Sequence, residues 1–174
     1  MTIPTRLKAH LEQSHTSFTP VTHVPARSSQ YAASVLHIPG KEVAKTAVLR
    51  SGKQDLLAVL PASYHVNLHK LAAVSGTPVE LVDERECYKL FPDCQPGAVP
   101  PFGELYGLPV YLDGALADDP EIVFGAGTLS DGIRMGNADF VHLARPRICS
   151  FAEKGEVMTR HVPEKSYLER RGGK

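Results

Sequence analysis

The chain has few cysteines, no excess of basic residues and no long apolar run. Cys87, Cys94 and Cys149 are an odd number and form no CxxC pair, which argues against a disulfide framework or a zinc ribbon. Basic and acidic residues both number 19, so the chain lacks the charge of proteins that coat nucleic acids. No apolar run approaches the roughly 20 residues that span a bilayer. These absences predict a cytoplasmic protein that binds neither a membrane nor DNA.

The composition is that of an ordinary globular protein, because 43% of the residues are hydrophobic and 22% are charged. One hydrophobic core accommodates a chain of this length. Beyond Phe151 the hydrophobic periodicity fades and basic residues outnumber acidic ones. We therefore expect a single domain over residues 1–151 and a charged, flexible tail over residues 152–174.

Helical and extended patterns alternate along the domain and predict a mixed α/β fold. Apolar residues at helical spacing predict helices at 4–14, 31–36, 67–74, 83–90 and 139–143. Runs of β-branched and aliphatic residues predict strands at 43–50, 56–60, 79–82, 109–112, 122–124 and 133–135. Proline and glycine at residues 92–103 exclude regular structure there and indicate an ordered loop.

Lys45 is the first candidate for a functional residue. It shares the two-residue period of its strand with Val43, Ala47 and Leu49, so its side chain should lie on a buried face. A buried ammonium needs a partner, a pocket or a bound anion. The alternative is a lysine at a frayed strand start that reaches solvent along its stem.

The loop Gly97-Ala98-Val99-Pro100-Pro101-Phe102-Gly103 is the second candidate. Its prolines fix the backbone, and its glycines let main-chain groups approach a ligand closely. Such a loop could present N–H groups to a reacting carbonyl or a water molecule. The alternative is a rigid connector.

The third candidate is the glycine-rich segment at residues 125–132, which could bind a phosphate or a sugar through backbone N–H groups. It matches neither GxGxxG nor GxxxxGK[ST], and a simple hairpin loop is the alternative.

Other catalytic templates find no support in the sequence. It contains no GxSxG elbow and no HExxH pair. Cys94 has no identifiable activating base, so an unreactive thiol is the better interpretation. Asp113, Asp118, Asp119 and Glu121 lack EF-hand spacing and fit a solvated acidic turn. We therefore expect no metal and no cofactor.

Taken together, several segments resemble the YbaK/prolyl-tRNA synthetase editing-domain family in order and spacing. They are Val43-Ala44-Lys45-Thr46, Leu57 to Pro61, Phe91 to Cys94, Gly97 to Gly103, Phe124 to Thr128 and Ile133 to Met135. The resemblance runs from about Thr5 to Phe151 and implies a curled, partly closed β-barrel surrounded by helices. It also implies a freestanding deacylase that hydrolyses the ester of mischarged tRNA in trans.

The resemblance places the family's lysine on Lys45 and its GxxxP motif on Gly97 to Pro101. It thereby implies catalytic roles for Lys45, Gly97 and Pro101. The substrate-binding residues that we expect are Tyr31, Thr46, Ala98, Val99, Pro100, Gly127 and Thr128. Many relatives read Gly-Thr-His where this chain reads Gly127-Thr128-Leu129, which leaves the amino acid that is removed open.

The expected partner is the acceptor end of an aminoacyl-tRNA carrying Ala, Ser, Thr or Cys, together with an aminoacyl-tRNA synthetase in some settings. Because fold alone does not decide function, two alternatives stay open. One is a non-catalytic module that binds an aminoacyl-adenosine, a nucleotide or a synthetase. The other is a hydrolase of another small ester or thioester.

Overall fold

The computed structural model describes residues 2–155. Its helices are α1 (Thr5–Gln13), α2 (Ser29–Val35), α3 (Leu68–Ser75), α4 (Glu84–Leu90), α5 (Gly114–Ala117) and α6 (Asn137–Ala144), and a short 3-10 helix covers Gly103–Tyr106. Its strands are β1 (Phe18–Thr22), β2 (Ala44–Ser51), β3 (Gln54–Pro61), β4 (Tyr64–Val66), β5 (Val79–Leu81), β6 (Val110–Asp113), β7 (Glu121–Gly125), β8 (Asp131–Gly136), β9 (Arg147–Cys149) and β10 (Ala152–Lys154). The predicted mixed α/β class is confirmed.

Local sequence signals explain where the helices begin and end. Leu7 and Leu11 lie four residues apart on α1 and are both buried, as an amphipathic helix requires. The side chains of Ser28 and Asn67 cap α2 and α3 by accepting hydrogen bonds from backbone N–H groups of the first turn. Gly76 ends α3 in the left-handed conformation, with a φ of 86°.

The strands form three sheets. The largest has five strands in the order β5-β2-β3-β6-β9, with an antiparallel β2–β3 hairpin and parallel β3–β6 and β6–β9 pairs. The second sheet has the order β1-β8-β7, and β10 pairs with β4 in the third. A parallel bridge between Val43 and Val123 connects the start of β2 to β7.

The β2–β3 hairpin separates two parts of the core. Thr46 lies opposite Val59, and Lys45 lies opposite Leu60. Val59 belongs to the larger core cluster, which also contains Leu112, Phe91, Phe102, Phe124 and Phe140. Leu60 belongs to a smaller cluster, which also contains Leu49, Leu71 and Phe151. Consecutive side chains of β2 therefore face different parts of the protein.

Several short elements depart from the sequence-based expectation. The patterns did not predict β4, α5, β9 or β10, which are each three or four residues long and too short to show a period. Strand β10 extends regular structure to Lys154, past the boundary expected at residue 151. The rest of the expected tail, from residue 156 on, lies outside the described residues. Over residues 2–155, the helices are too short or too polar to cross a membrane.

Candidate active site

Two adjoining cavities lie on the Thr46 side of the β2–β3 hairpin. The inner cavity has a volume of about 40 Å³, and the outer cavity has a volume of about 620 Å³. Thr46, Gly97, Val99 and Leu129 border both of them. A water molecule needs about 10–15 Å³ of such space, so the inner cavity fits a group of only a few non-hydrogen atoms. The arrangement is a small chamber that adjoins a much larger one.

The proline-containing loop forms one wall of both cavities. Gly97 has a φ of 81°, a conformation that disfavours any residue with a Cβ, and it is exposed. Within the described part of the chain, the N–H groups of Gly97 and Val99 have no hydrogen-bond partner. Pro100 and Pro101, in the middle of the loop, are buried and border neither cavity. The prolines hold the loop, and the residues before them present its backbone.

Backbone hydrogen bonds join this loop to the glycine-rich segment at residues 125–132. The Gln95 N–H donates to the Gly127 carbonyl, and the Gly127 N–H donates to the Ala98 carbonyl, each at 2.8 Å. The Gln95 side-chain oxygen accepts from the Leu129 N–H at 2.8 Å. Gly127 has a φ of 89°, and a Cβ there would lie 2.6 Å from Cγ of Pro4. The two loops are therefore one rigid unit that only glycine at 127 permits.

Thr128 supplies a buried hydroxyl to the wall of the inner cavity. Its Oγ1 donates to Asp131 Oδ2 at 2.5 Å and accepts from the Asp131 N–H at 3.0 Å. Both residues border the cavity, and Asp131 brings a carboxylate there. The predicted substrate-binding residues Thr46, Ala98, Val99 and Thr128 thus meet at one cavity, while Gly127 braces it from behind.

Lys45 faces away from this cavity. Its ammonium donates a hydrogen bond to the carbonyl of Tyr64. Tyr64 and Ala47 pack against the smaller core cluster, on the face of β2 opposite Thr46. Burial lowers the pKa of Lys45, since the charged form loses solvation there. Lys45 shares a buried face with Ala47 and Leu49, as predicted, but not with Val43, which borders the inner cavity. The structure does not bring the Lys45 ammonium to the Gly97 loop.

Tyr31 also lies away from both cavities. Its side chain is 51% exposed, and its backbone N–H donates to the Ser28 hydroxyl at the start of α2. The residues of α2 and its two caps that border the inner cavity are Ser28, Ser29, Ala32 and Leu36. The helical period explains the difference, because Tyr31 and Ala32 are neighbours in sequence and point in different directions.

His23 borders the inner cavity, although no motif in the sequence singles it out. It directly follows the last residue of β1, and neither a strand pattern nor a loop motif marks this position in the sequence. Its Nδ1 lies 2.7 Å from the carbonyl oxygen of Val24. The pairing of β1 with β8 in the folded chain brings His23 to the border of the cavity.

The outer cavity has an exposed apolar rim and a buried thiol. Tyr88 and Leu81 are 53% and 68% exposed, and Arg27 supplies a positive charge. Cys94 is buried, and desolvation raises the pKa of its thiol to about 11. A thiol with that pKa is neutral at physiological pH and a poor nucleophile, which agrees with an unreactive cysteine.

Comparison with known proteins agrees with this geometry. Residues 23–143 match the aminoacyl-tRNA editing domain. The chain is 29% identical over 152 residues to the Multifunctional Ser/Thr-tRNA deacylase ProXp-y of Escherichia coli strain K12, covering 84% of this chain and 90% of that relative.

Two solved structures share the fold. The hypothetical protein APE2540 superposes with a TM-score of 0.78 at 18% identity, over 85% of this chain and 99% of the other. A proposed trans-editing enzyme for prolyl tRNA synthetase superposes with a TM-score of 0.74 at 23% identity, over 85% of this chain and 95% of the other.

The chain belongs to the aminoacyl-tRNA editing domain family, since the match covers well over half of its residues. The predicted family is thereby confirmed. So is the predicted class of activity, hydrolysis of the aminoacyl-tRNA ester bond.

Proposed function

We propose that this protein removes a small amino acid, such as serine, threonine, alanine or cysteine, from mischarged tRNA in trans. The observation that carries this proposal is the pair of adjoining cavities. The inner cavity is suited to a short side chain, and the outer cavity has the volume and the exposed Tyr88 ring to receive the terminal adenosine. Serine and threonine have a precedent in the deacylase relative from Escherichia coli.

The size of the inner cavity supports selection by exclusion. A chamber of about 40 Å³ rejects a bulky side chain by collision. A hydrophobic pocket discriminates weakly between two ligands that both fit, whereas an amino acid too large to enter is not hydrolysed at all. The hydroxyl of Thr46 offers a polar contact to a serine or threonine side chain, whereas the Thr128 hydroxyl is engaged by Asp131 and shapes the wall.

The unpartnered N–H groups of Gly97 and Val99 support a role in catalysis. An aminoacyl ester is already activated, so an enzyme must mainly hold the water and stabilise the oxyanion that forms. N–H groups that have no partner in the described chain can donate to that oxyanion. The buried prolines Pro100 and Pro101 would fix their positions.

In this proposal Lys45 binds a phosphate of the tRNA end. A contact with an ester inside the inner cavity would require its side chain to leave Tyr64 and pass the sheet. A phosphate outside the cavity is the more accessible anion. The role of Lys45 therefore differs from that of the loop backbone, and it is tested separately below.

The partly closed barrel also belongs to the proposal. The bridge between Val43 and Val123 supports it, because that bridge connects the five-stranded sheet to the three-stranded one. We further propose a cytoplasmic location and a functional association with an aminoacyl-tRNA synthetase, since mischarged tRNA originates there.

The direct test measures release of amino acid from tRNAs mischarged with Ala, Ser, Thr, Cys and Val. We expect the wild-type protein to hydrolyse at least one of the first four well above the spontaneous rate and to leave the Val ester intact. Binding of these tRNAs without release of any amino acid would contradict the proposal and would favour a non-catalytic module.

A further inference from the structure

Two of the described residues that border the inner cavity have titratable side chains, His23 and Asp131. We propose that His23 is the general base that removes a proton from the attacking water. This inference rests on the proposed deacylase function, because it assigns a step of that reaction to a particular atom, Nε2 of His23.

The fold fixes the position of His23. Its backbone N–H donates to the Ser130 carbonyl at 2.9 Å, which extends the register of β1 with β8 by one residue. Val21, two residues earlier, packs with Val43 and Val123, which also border the cavity. Side chains two residues apart on a strand point the same way, so the His23 side chain continues the side of β1 on which Val21 packs against Val43 and Val123.

A hydrogen bond also sets the tautomer of the ring. Nδ1 of His23 lies 2.7 Å from the Val24 carbonyl oxygen. A carbonyl oxygen only accepts hydrogen bonds, so Nδ1 carries the proton of the neutral ring, and Nε2 keeps a free lone pair. An imidazole held in this tautomer is prepared to accept a proton at Nε2.

Among the described residues that border the inner cavity, Asp131 is the one with a charged side chain. Asp131, on β8, borders the same cavity and stays fixed by its hydrogen bond from Thr128. Its carboxylate would stabilise the imidazolium that forms during the reaction. Arg27, at the start of the α2 segment, borders the outer cavity instead. The glycine-rich segment at residues 125–130 contributes no charged side chain.

In the proposed reaction, His23 first accepts one proton and later returns it. Nε2 takes a proton from water while the water oxygen bonds to the ester carbonyl carbon, and the carbonyl oxygen becomes an oxyanion. When this intermediate collapses, the bond between the carbonyl carbon and the ribose oxygen breaks. The imidazolium returns its proton to the ribose oxygen, which leaves a free amino acid, a tRNA hydroxyl and a neutral His23.

The experiment compares single-turnover hydrolysis of Ser-tRNA and Thr-tRNA by wild type, His23→Gln, His23→Ala and the control His69→Gln. His69 is exposed on α3 and borders neither of the two cavities. We expect about a 100-fold loss of rate in both His23 variants and none in the control. Added imidazole should restore much of the activity of His23→Ala, a recovery that a structural role would not give.

A pH series adds an independent measurement. The wild-type rate should fall as the pH is lowered, because a general base acts only in its unprotonated form, and the residual rate of His23→Gln should not show that fall. Wild-type activity in His23→Gln, or a loss in His23→Ala that imidazole does not restore, would overturn the inference and leave the deacylase function standing. An inactive wild-type protein would overturn both.

Discussion

The two faces of strand β2 contact different parts of the protein. One face carries Ala44 and Thr46 into the inner cavity, next to the Gly97 loop. The other face carries Lys45 and Ala47 against the smaller core cluster, where the Lys45 ammonium is held by the Tyr64 carbonyl. Neighbouring residues of one strand therefore line the inner cavity on one side and pack against the smaller core cluster on the other. The predictions below test whether activity depends more on the first face than on the second.

The largest effect is expected from Gly97→Ala on the cavity face. A Cβ at residue 97 would lie 3.3 Å from the Arg27 carbonyl oxygen, so the loop or its neighbour would have to give by a few tenths of an ångström, in addition to the strain of alanine at positive φ. Because a misplacement on the order of 1 Å can cost about 100-fold in rate, we expect a smaller loss of roughly 30-fold in kcat/KM for Ser-tRNA.

Gly76→Ala provides the matched control. Gly76 has a similar φ of 86°, but a Cβ there meets nothing within 4 Å. Both substitutions should cost about 1–2 kcal/mol of stability, since both place alanine in the left-handed region. If Gly76→Ala reduced activity as much as Gly97→Ala, backbone strain and not the cavity would explain the loss.

Lys45→Ala tests the other face, with an expected loss in kcat/KM of about tenfold. The loss should appear mainly in KM and should shrink at high salt, because a phosphate contact is screened. The variant should also lose about 1 kcal/mol of stability, since the Tyr64 carbonyl loses its donor. Stability and kinetics would be measured together by urea unfolding and single-turnover assays.

Lys45→Arg keeps the charge and serves as the control for that variant. It should retain more activity than Lys45→Ala. A loss in kcat that exceeds the loss in Gly97→Ala would break the comparison of the two faces, because it would place Lys45 in contact with the ester. Unchanged kinetics with lowered stability would make Lys45 purely structural.

The sequence predicted the helices and long strands well because their periods are local. It also predicted that Ala47 and Leu49 share a face with Lys45, but it wrongly placed Val43 on that face. It could not say which face of β2 meets the cavity, since that depends on the loop at residues 91–103 folding over Thr46. The resemblance grouped Lys45 and Thr46 as site residues, whereas the two-residue period of a strand separates them.

Long-range contacts explain the other differences. Asp113 reads as part of a solvated acidic turn, yet it is buried. One of its oxygens accepts from the Ala115 N–H at 2.9 Å. The other accepts from the N–H groups of Phe151 and Ala152, at 2.8 and 2.7 Å. A local sequence pattern cannot predict hydrogen-bond partners nearly 40 residues away. His23 was missed for the same reason, because its place at the cavity depends on the pairing of β1 with β8.

Leu129→Ala should change selectivity more than rate. Leu129 borders both cavities, so a smaller side chain would enlarge the passage between them. We expect hydrolysis of Val-tRNA to rise about tenfold relative to Ser-tRNA, because a few methylene groups in a pocket are worth about that much discrimination. Leu81→Ala, on the rim of the outer cavity alone, is the control and should leave the ratio unchanged. An equal change in both variants would mean that the inner cavity does not sort side chains.

The smallest effect is expected from Cys94→Ala, which removes a thiol from the wall of the outer cavity. The Cys94 side chain lies 3.3 Å from the Tyr106 hydroxyl, and its raised pKa keeps it neutral at pH 7 to 8, so it should take no part in the reaction. The variant should retain kcat/KM within about twofold and lose about 1 kcal/mol of stability from the small void. Single-turnover assays and urea unfolding would measure both quantities. A loss as large as that in Gly97→Ala would mean that the outer wall is chemically active, and the contrast between a reacting inner chamber and a binding outer one would have to be abandoned.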